Sequence, residues 1–217
     1  MRIPIAREGW PFIAGFAGVA LLGTWLCPVP WGHPPLWLLL LWVVWFFRDP
    51  ERVTPVAAGL IVAPADGRVI AIDEVVAAPL SGKAARRISI FMNIFSVHVN
   101  RFPESGQIVA SRYQPGRFLN AALDKASHEN ERMELLLQTD QGREIAFVQV
   151  AGLVARRIVC RVRQGDRGRR GERFGLIRFG SRVDVYLPLD AVVAVTLGER
   201  TVAGETLLAT LSAAVER

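Results

Sequence analysis

Two patterns of apolar and polar positions divide this chain. From Gly9 to Phe47 there is no Asp, Glu, Lys or Arg. The apolar stretch there falls into two segments, Trp10 to Cys27 and Leu36 to Phe47, separated by Pro28-Val29-Pro30-Trp31-Gly32-His33-Pro34-Pro35. The first is long enough to cross a hydrocarbon core as a helix, and the second is shorter. The pattern predicts a helical hairpin over residues 1–50, lying in or on a membrane, with a buried helical pair as the alternative. Beyond Pro50 the period changes. Short β-type runs are broken by Gly, Pro and Asp: Leu60 to Ala63, Arg68 to Ile72, Arg87 to Phe91, Val97 to Val99, Gln107 to Tyr113, Glu134 to Gln138, Glu144 to Val150, Ile158 to Arg163, Phe174 to Arg178 and Val183 to Leu187. This spacing predicts a mostly β domain (α+β overall) over residues 51–217, a sandwich or barrel. Arg117 to Arg132 reads as a polar helix or ordered loop, and Gln164 to Arg173 as a turn.

A repeat refines that picture. Gly165-Asp166-Arg167-Gly168-Arg169-Arg170-Gly171-Glu172 and Gly198-Glu199-Arg200-Thr201-Val202-Ala203-Gly204-Glu205 share the order Gly, acid, Arg, then Gly-Glu, at an offset of 33 residues. They read as matched turns of a pseudo-symmetric β unit, similar to the turns of biotinyl and lipoyl carrier barrels. Carriers need a modifiable Lys at a hairpin tip, and the comparable position here is Asp66.

Charge placement changes the picture for the hairpin. Arg2 and Arg7 precede it, Arg48 and Arg52 follow it, and its loop carries no cation, so both ends are expected on the cytoplasmic side. All six tryptophans lie in this segment, as at a membrane-water boundary. The chain is basic overall, with a net charge of +6 and a dense run at Arg156, Arg157, Arg161, Arg163, Arg167, Arg169, Arg170 and Arg173. Without interleaved aromatics this run favours membrane phospholipid over nucleic acid as partner, the bland alternative being a solvated strand face. Cys27 and Cys160 are too few for a disulfide framework.

Candidate chemistry lies in three places. Ala63-Pro64-Ala65-Asp66-Gly67 is a tight turn that presents a carboxylate. His98, within Val97-His98-Val99-Asn100-Arg101, occupies an apolar strand-like context where an imidazole needs a partner or a task. No second His or Cys stands at ligand spacing, so no metal is expected. The third place is Gly180-Ser181, between two strand-like runs. There a serine hydroxyl could attack the preceding carbonyl, although Gly-Ser is also ordinary turn chemistry. A Ser-His-Asp hydrolase from Ser181, His98 and Asp66 would lack the Gly-x-Ser-x-Gly elbow.

Taken in order, Phe46-Phe47-Arg48-Asp49-Pro50, Ala63 to Gly67, Val97 to Arg101, Asp124-Lys125-Ala126-Ser127 with Asn130-Glu131-Arg132, and Ile177 to Ser181 with Asp184-Val185-Tyr186-Leu187-Pro188 resemble the short bacterial form of phosphatidylserine decarboxylase. The resemblance runs from about Phe46 to the C-terminus. It implies a proenzyme that cuts itself at Gly180-Ser181 into a β chain (1–180) and an α chain (181–217), which stay together as a heterodimer, with a higher oligomer left open. Ser181 Oγ would form an ester with the Gly180 carbonyl, and β-elimination, hydrolysis and loss of ammonia would leave an N-terminal pyruvoyl group. That group would form a Schiff base with phosphatidylserine and act as the electron sink for loss of CO₂, yielding phosphatidylethanolamine. In this resemblance His98 is the candidate acid for protonation and Asp66 the candidate base for maturation, at the cytoplasmic face of the cell membrane. Two positions depart from the family. Arg101 stands where other members carry a second histidine, and could hold the lipid phosphate, while Phe-Gly-Ser-Arg replaces the Leu-Gly-Ser-Thr of long members. A decarboxylase of an archaetidylserine-type ether lipid and a non-enzymatic membrane-anchored carrier or adaptor barrel are the alternatives.

Overall fold

The computed structural model describes residues 4–26, 32–117, 119, 121–122, 129–152, 158–178 and 180–211. The chain divides into two compact units, Met1–Glu51 and Arg52–Arg217.

The first unit is a pair of helices, α1 (Trp10–Leu26) and α2 (His33–Phe46). α2 starts earlier than the expected Leu36. Pro34 and Pro35 fall in its first turn, where backbone N–H groups have no helical acceptor and proline costs nothing. The pair is fastened by Trp37 Nε1 donating to Thr24 Oγ1 at 3.2 Å and by Phe12 stacked on Phe47 at 5.3 Å. The backbone beyond both helices is paired through the Ile5–Arg48 bridge. Leu21, Leu22, Trp25, Leu26, Leu38 and Leu41 point outward, each more than half exposed. Arg7–Leu26 has a mean hydropathy of 1.4 and is long and apolar enough to cross a membrane, whereas α2 is a shorter apolar helix. Helices apolar on every side belong in an apolar surrounding.

The second unit is mostly β, as the alternation predicts. Its strands are β1 (Leu60–Val62), β2 (Gly67–Val75), β3 (Ala85–Met92), β4 (Val99–Arg101), β5 (Gly106–Gln114), β6 (Arg132–Thr139), β7 (Glu144–Val150), β8 (Ile158–Cys160), β9 (Arg167–Gly168), β10 (Arg173–Ile177), β11 (Ser181–Leu187), β12 (Val192–Val193), β13 (Arg200–Thr201) and β14 (Leu207–Thr210). One eight-stranded sheet has the order β13-β2-β3-β11-β7-β6-β5-β9, and two three-stranded sheets have the orders β1-β14-β12 and β4-β10-β8. The expected barrel does not close: the large sheet ends at β13 and β9. The Asp124-Lys125-Ala126-Ser127 block and Arg156 and Arg157 lie outside the described residues. Among the described residues of 117–132, Arg117 and Asn130 are joined by a bridge, and β6 begins at Arg132.

The architecture is a pseudo-two-fold built by interleaving. β1-β2-β3 is repeated by β4-β5-β6, and β7 to β10 by β11 to β14, so the large sheet reads the same from either end. Ala63-Pro64-Ala65-Asp66-Gly67 corresponds to Phe102-Pro103-Glu104-Ser105-Gly106. Arg101 N donates to Pro64 O and Val62 N to Pro103 O, both at 2.9 Å, and Gly204 N to Ala63 O (2.8 Å) is matched by Gly171 N to Phe102 O (2.9 Å). Both β2 and β5 shift register at the equivalent place, after Val69 and after Ile108. The two Gly-Glu turns of the sequence repeat are thus real counterparts, and the residues ahead of them form the edge strands β13 and β9.

Each small sheet covers half of the large one. Ile61, Leu208 and Ala209 pack with Ile88, Ile90, Val183 and Val185. The other half is filled by Phe102, Phe147 and Phe174, edge to face with centroids 5.0 to 6.1 Å apart, a preferred aromatic geometry.

Candidate active site

β11 lies between β3 and β7, in the middle of the large sheet, and Ser181 is its first residue, paired with Met92 on β3. The sequence Ser-Arg-Val-Asp-Val-Tyr-Leu alternates, sending Ser181, Val183, Val185 and Leu187 to the core. Ser181 is completely buried, and its hydroxyl lies 3.6 Å from the Met92 sulfur. Gly180, just outside the strand, has φ +55°, the left-handed region that a residue with a Cβ avoids. Its carbonyl oxygen is pressed onto Gly152, which follows β7. A Cβ on Gly152 would stand 1.8 Å from that oxygen, so only glycine lets the two backbones approach this closely. The Gly180-Ser181 peptide is therefore held at its carbonyl by one strand end and at its serine by the next.

The other face of β11 fastens this corner. Arg182 and Asp184 are both about 1 % exposed and form an ion pair, with Arg182 Nη2 3.0 Å from Asp184 Oδ2. Arg182 Nη1 also donates to Ala121 O at 3.2 Å. Asn130, fully buried, donates to Leu119 O and Ala151 O at 2.8 and 2.7 Å and accepts from Leu119 N at 2.9 Å. Together they hold Leu119 and Ala121, and the Ala121 methyl comes within 3.2 Å of a Cβ built on Gly152. Further along this face, burial and then the nearby Asp184 push the Tyr186 hydroxyl well above its usual range, and the hydrogen bonds that Arg87 donates to Asp73 hold its guanidinium charged.

His98 is also completely buried. It immediately precedes β4, and its carbonyl accepts from Ile177 N at 3.3 Å, three residues ahead of Gly180. Two residues on, Asn100 Nδ2 is 3.7 Å from the Met92 sulfur, and Gln149 Nε2 donates to Asn100 Oδ1 at 2.8 Å. Met92 thus touches Ser181 from one side and the His98–Asn100 strand from the other. Asn100, Gln149 and Gly152 are the residues that sequence reasoning missed. The signal for Asn100 was present, since alternation puts it on the same strand face as His98. The same holds for Gln149, which alternation puts on the strand face of the buried Ile145 and Phe147.

Asp66 is held in the turn before β2. Its Oδ1 accepts from Ala203 N at 2.7 Å, and Arg52 Nη2 lies 2.9 Å from Oδ2. The next residue, Gly67, packs against the backbone of Phe91 on β3, one residue before Met92. Asp66, His98 and Ser181 thereby occupy three segments that converge on the end of β3, with Asp66 at the rim and the other two inside.

Arg101 is nearly buried beside the two Gly-Glu turns. It is 5 % exposed, donates from Nη1 to Gly171 O at 2.8 Å and packs against Gly204, tying together the two Gly-Glu turns at the pseudo-two-fold. The basic run is likewise partly consumed internally. Arg170 pairs with Glu104, both about one-tenth exposed, and Arg167 with Asp140. Acids on neighbouring turns thus neutralise Arg167 and Arg170.

The phosphatidylserine decarboxylase family model matches residues 39–209. The chain is 55 % identical over 212 residues to a phosphatidylserine decarboxylase proenzyme of Paramagnetospirillum magneticum, covering 96 % of this chain and 87 % of that protein. It is 53 % identical to the one of Magnetococcus marinus, covering 95 % of each chain, and 54 % identical to that of Nitrosomonas europaea, covering 94 % of each. Since the match spans both the apolar helices and the sheet that buries Gly180-Ser181, the chain belongs to the phosphatidylserine decarboxylase family.

Proposed function

We propose that this protein is a self-cleaving, membrane-associated enzyme that decarboxylates phosphatidylserine to phosphatidylethanolamine. The observation that carries the reading is the Gly180-Ser181 step, a left-handed glycine followed by a buried serine, in a chain more than half identical to proteins named as proenzymes of this activity. Family membership also leaves the carrier-barrel alternative without support.

The chain's own residues account for maturation. Ser181 Oγ is the nucleophile and the Gly180 carbonyl its target, and the contact with Gly152 restricts that carbonyl's orientation, the kind of positioning that replaces a bimolecular encounter. Asp66, ion-paired and fixed by the Ala203 amide, is the candidate base. Cleavage would give chains of residues 1–180 and 181–217, and the residue left at 181 would carry a pyruvoyl group. That group, when formed, supplies an electron sink for an α-amino acid headgroup. The setting fits it: position 181 is buried beside Met92, so water is kept from the carbonyl, and the polar pair Asn100–Gln149 lies within the same core. His98 is the candidate acid that returns a proton to the substrate carbon, which suits an imidazole near neutral pH. The apolar helices of residues 1–50 serve as the membrane anchor, with both ends cytoplasmic.

The direct test is intact-mass measurement of the purified protein together with phosphatidylethanolamine formation from phosphatidylserine. The expected result is two fragments divided between 180 and 181, and product formation in step with cleavage. A chain that remains whole in a preparation that turns over substrate would remove the pyruvoyl assignment. For His98→Ala the expected result is a decarboxylation rate lower by about 10² to 10⁴-fold, the usual contribution of a positioned acid. Measuring kcat on whatever cleaved enzyme forms checks it, and an unchanged kcat takes His98 out of the site.

A further inference from the structure

The turn joining β3 to β4 carries two large apolar side chains in water. Ile94 is 42 % exposed and Phe95 58 % exposed. The turn is well defined rather than a slack loop: Ser96 N donates to Asn93 O at 3.1 Å, and Phe95 N to Asn93 Oδ1 at 2.8 Å. Asparagine closing its own turn in this way fixes the direction in which the next two side chains project. The turn stands at a particular place. Met92, on one side, is the cross-strand partner of Ser181, and His98, on the other, is the buried imidazole of the site. The apolar tip is thus attached to both walls of the candidate active site and separated from each by a residue or two.

Cationic groups flank it. Arg68 pairs with Phe91 on one side and with Arg200 on the other, one register position from the Met92–Ser181 pair. Both arginines are exposed, and neither forms an ion pair among the described residues. Arg68 Nη1 donates to Gly198 O, which leaves its charge without a carboxylate partner among the described residues. Apolar residues projecting from a fixed turn, with two exposed arginines on the strands behind them, have the composition of an interfacial anchor for an anionic lipid surface.

We propose that Ile94 and Phe95 form a finger that dips into the acyl region of an anionic phospholipid bilayer, with Arg68 and Arg200 at headgroup level, so that the mouth of the Ser181 site faces the plane of the headgroups. This rests on the reading that the substrate is a membrane phospholipid. It adds a second contact to the apolar helices, of a different kind. The helices hold the chain at the membrane, whereas the finger sets the height and orientation of the site, and a headgroup can be delivered without the lipid leaving the bilayer.

The test uses the full-length, matured protein and two forms of phosphatidylserine: vesicles of long-chain lipid, and a short-chain lipid below its micelle concentration. For the double variant Ile94→Asp with Phe95→Asp, kcat/KM on vesicles is expected to fall about tenfold or more as the inserted apolar area is lost. Cleavage into two chains and turnover of the monodisperse lipid should persist. Phe95→Trp, which keeps an interfacial aromatic, should keep vesicle turnover. Unchanged vesicle turnover in the Asp variant overturns the proposal, as does an equal loss on both substrates, which would make the turn part of the site itself. Altered sedimentation with unchanged vesicle turnover assigns the tip to contact with a second copy and also overturns it. A wild-type protein inert on both lipids is a different result, since it removes the decarboxylase reading beneath the proposal.

Discussion

Ser181→Ala is expected to leave a single uncut chain with no decarboxylase activity, while the fold is retained. The change removes the Oγ that would attack Gly180, and with it the atom from which the pyruvoyl carbonyl would be made, so cleavage and turnover are lost together. Its cost to stability is small. The hydroxyl's described contact is with the Met92 sulfur at 3.6 Å, a weak acceptor, and loss of such a bond costs at most about 1 kcal/mol. Denaturant unfolding of Ser181→Ala should therefore approximate that of uncut wild-type protein, against a complete loss of product. An intact chain that still releases phosphatidylethanolamine would refute the assignment of Ser181.

Gly152→Ala is the second large effect, and it arises from backbone rather than from any reacting side chain. The added methyl would stand 1.8 Å from the Gly180 oxygen and 3.2 Å from the Ala121 methyl, so the carbonyl that Ser181 is to attack must move. Misplacement of reacting atoms by about 1 Å costs on the order of 10²-fold in rate, whereas overpacking of one methyl costs about 1–3 kcal/mol in stability. The expected variant is folded, less stable, and about 100-fold slower to cut itself. The time course of the 181–217 fragment on a denaturing gel measures this. Cleavage at the wild-type rate would show that the contact with Gly152 does not orient the carbonyl.

Much of the fold was legible in the sequence, and the reason differs from element to element. The runs from Leu60 to Leu187 are short and regularly spaced between Gly, Pro and Asp, and each contains or overlaps a strand, with Glu144–Val150 matching end for end. The two-residue strands β9, β12 and β13 were not legible, because hydrophobic pattern does not define them. They exist where a turn is laid against β2, β5 or β14, which is tertiary information. The repeat at Gly165 and Gly198 was the visible trace of the pseudo-two-fold, but its other half, Pro64-Ala65-Asp66-Gly67 against Pro103-Glu104-Ser105-Gly106, was hidden. Asp66 keeps a carboxylate there where its counterpart Ser105 has a hydroxyl. Of the candidate site, Asp66, His98 and Ser181 stand out by their chemistry alone, and strand alternation was enough to place Asn100 with His98 and Gln149 with Ile145 and Phe147. The close backbone approach at Gly152 is tertiary information that no local pattern carries. For Arg101 the sequence shows a charge near a histidine, and only the fold reveals its burial and its bond to the Gly171 carbonyl.

The central position of β11 has a consequence for the life of the molecule after cleavage. The piece beginning at Ser181 is not a tail resting on the surface. It supplies a middle strand of the large sheet, bonded to β3 and β7 on its two sides, and then β12, β13 and β14. Folding must therefore be completed while the chain is still one covalent piece, with β11 inserted as an intramolecular event. With the bond before Ser181 cut, the two pieces would remain interlocked by the sheet, but a molecule that lost its structure would have to find its other half in solution. Cleavage there would turn a reversible folding equilibrium into a one-way assembly, and the working lifetime of the cut protein would be governed by how slowly β11 leaves the sheet.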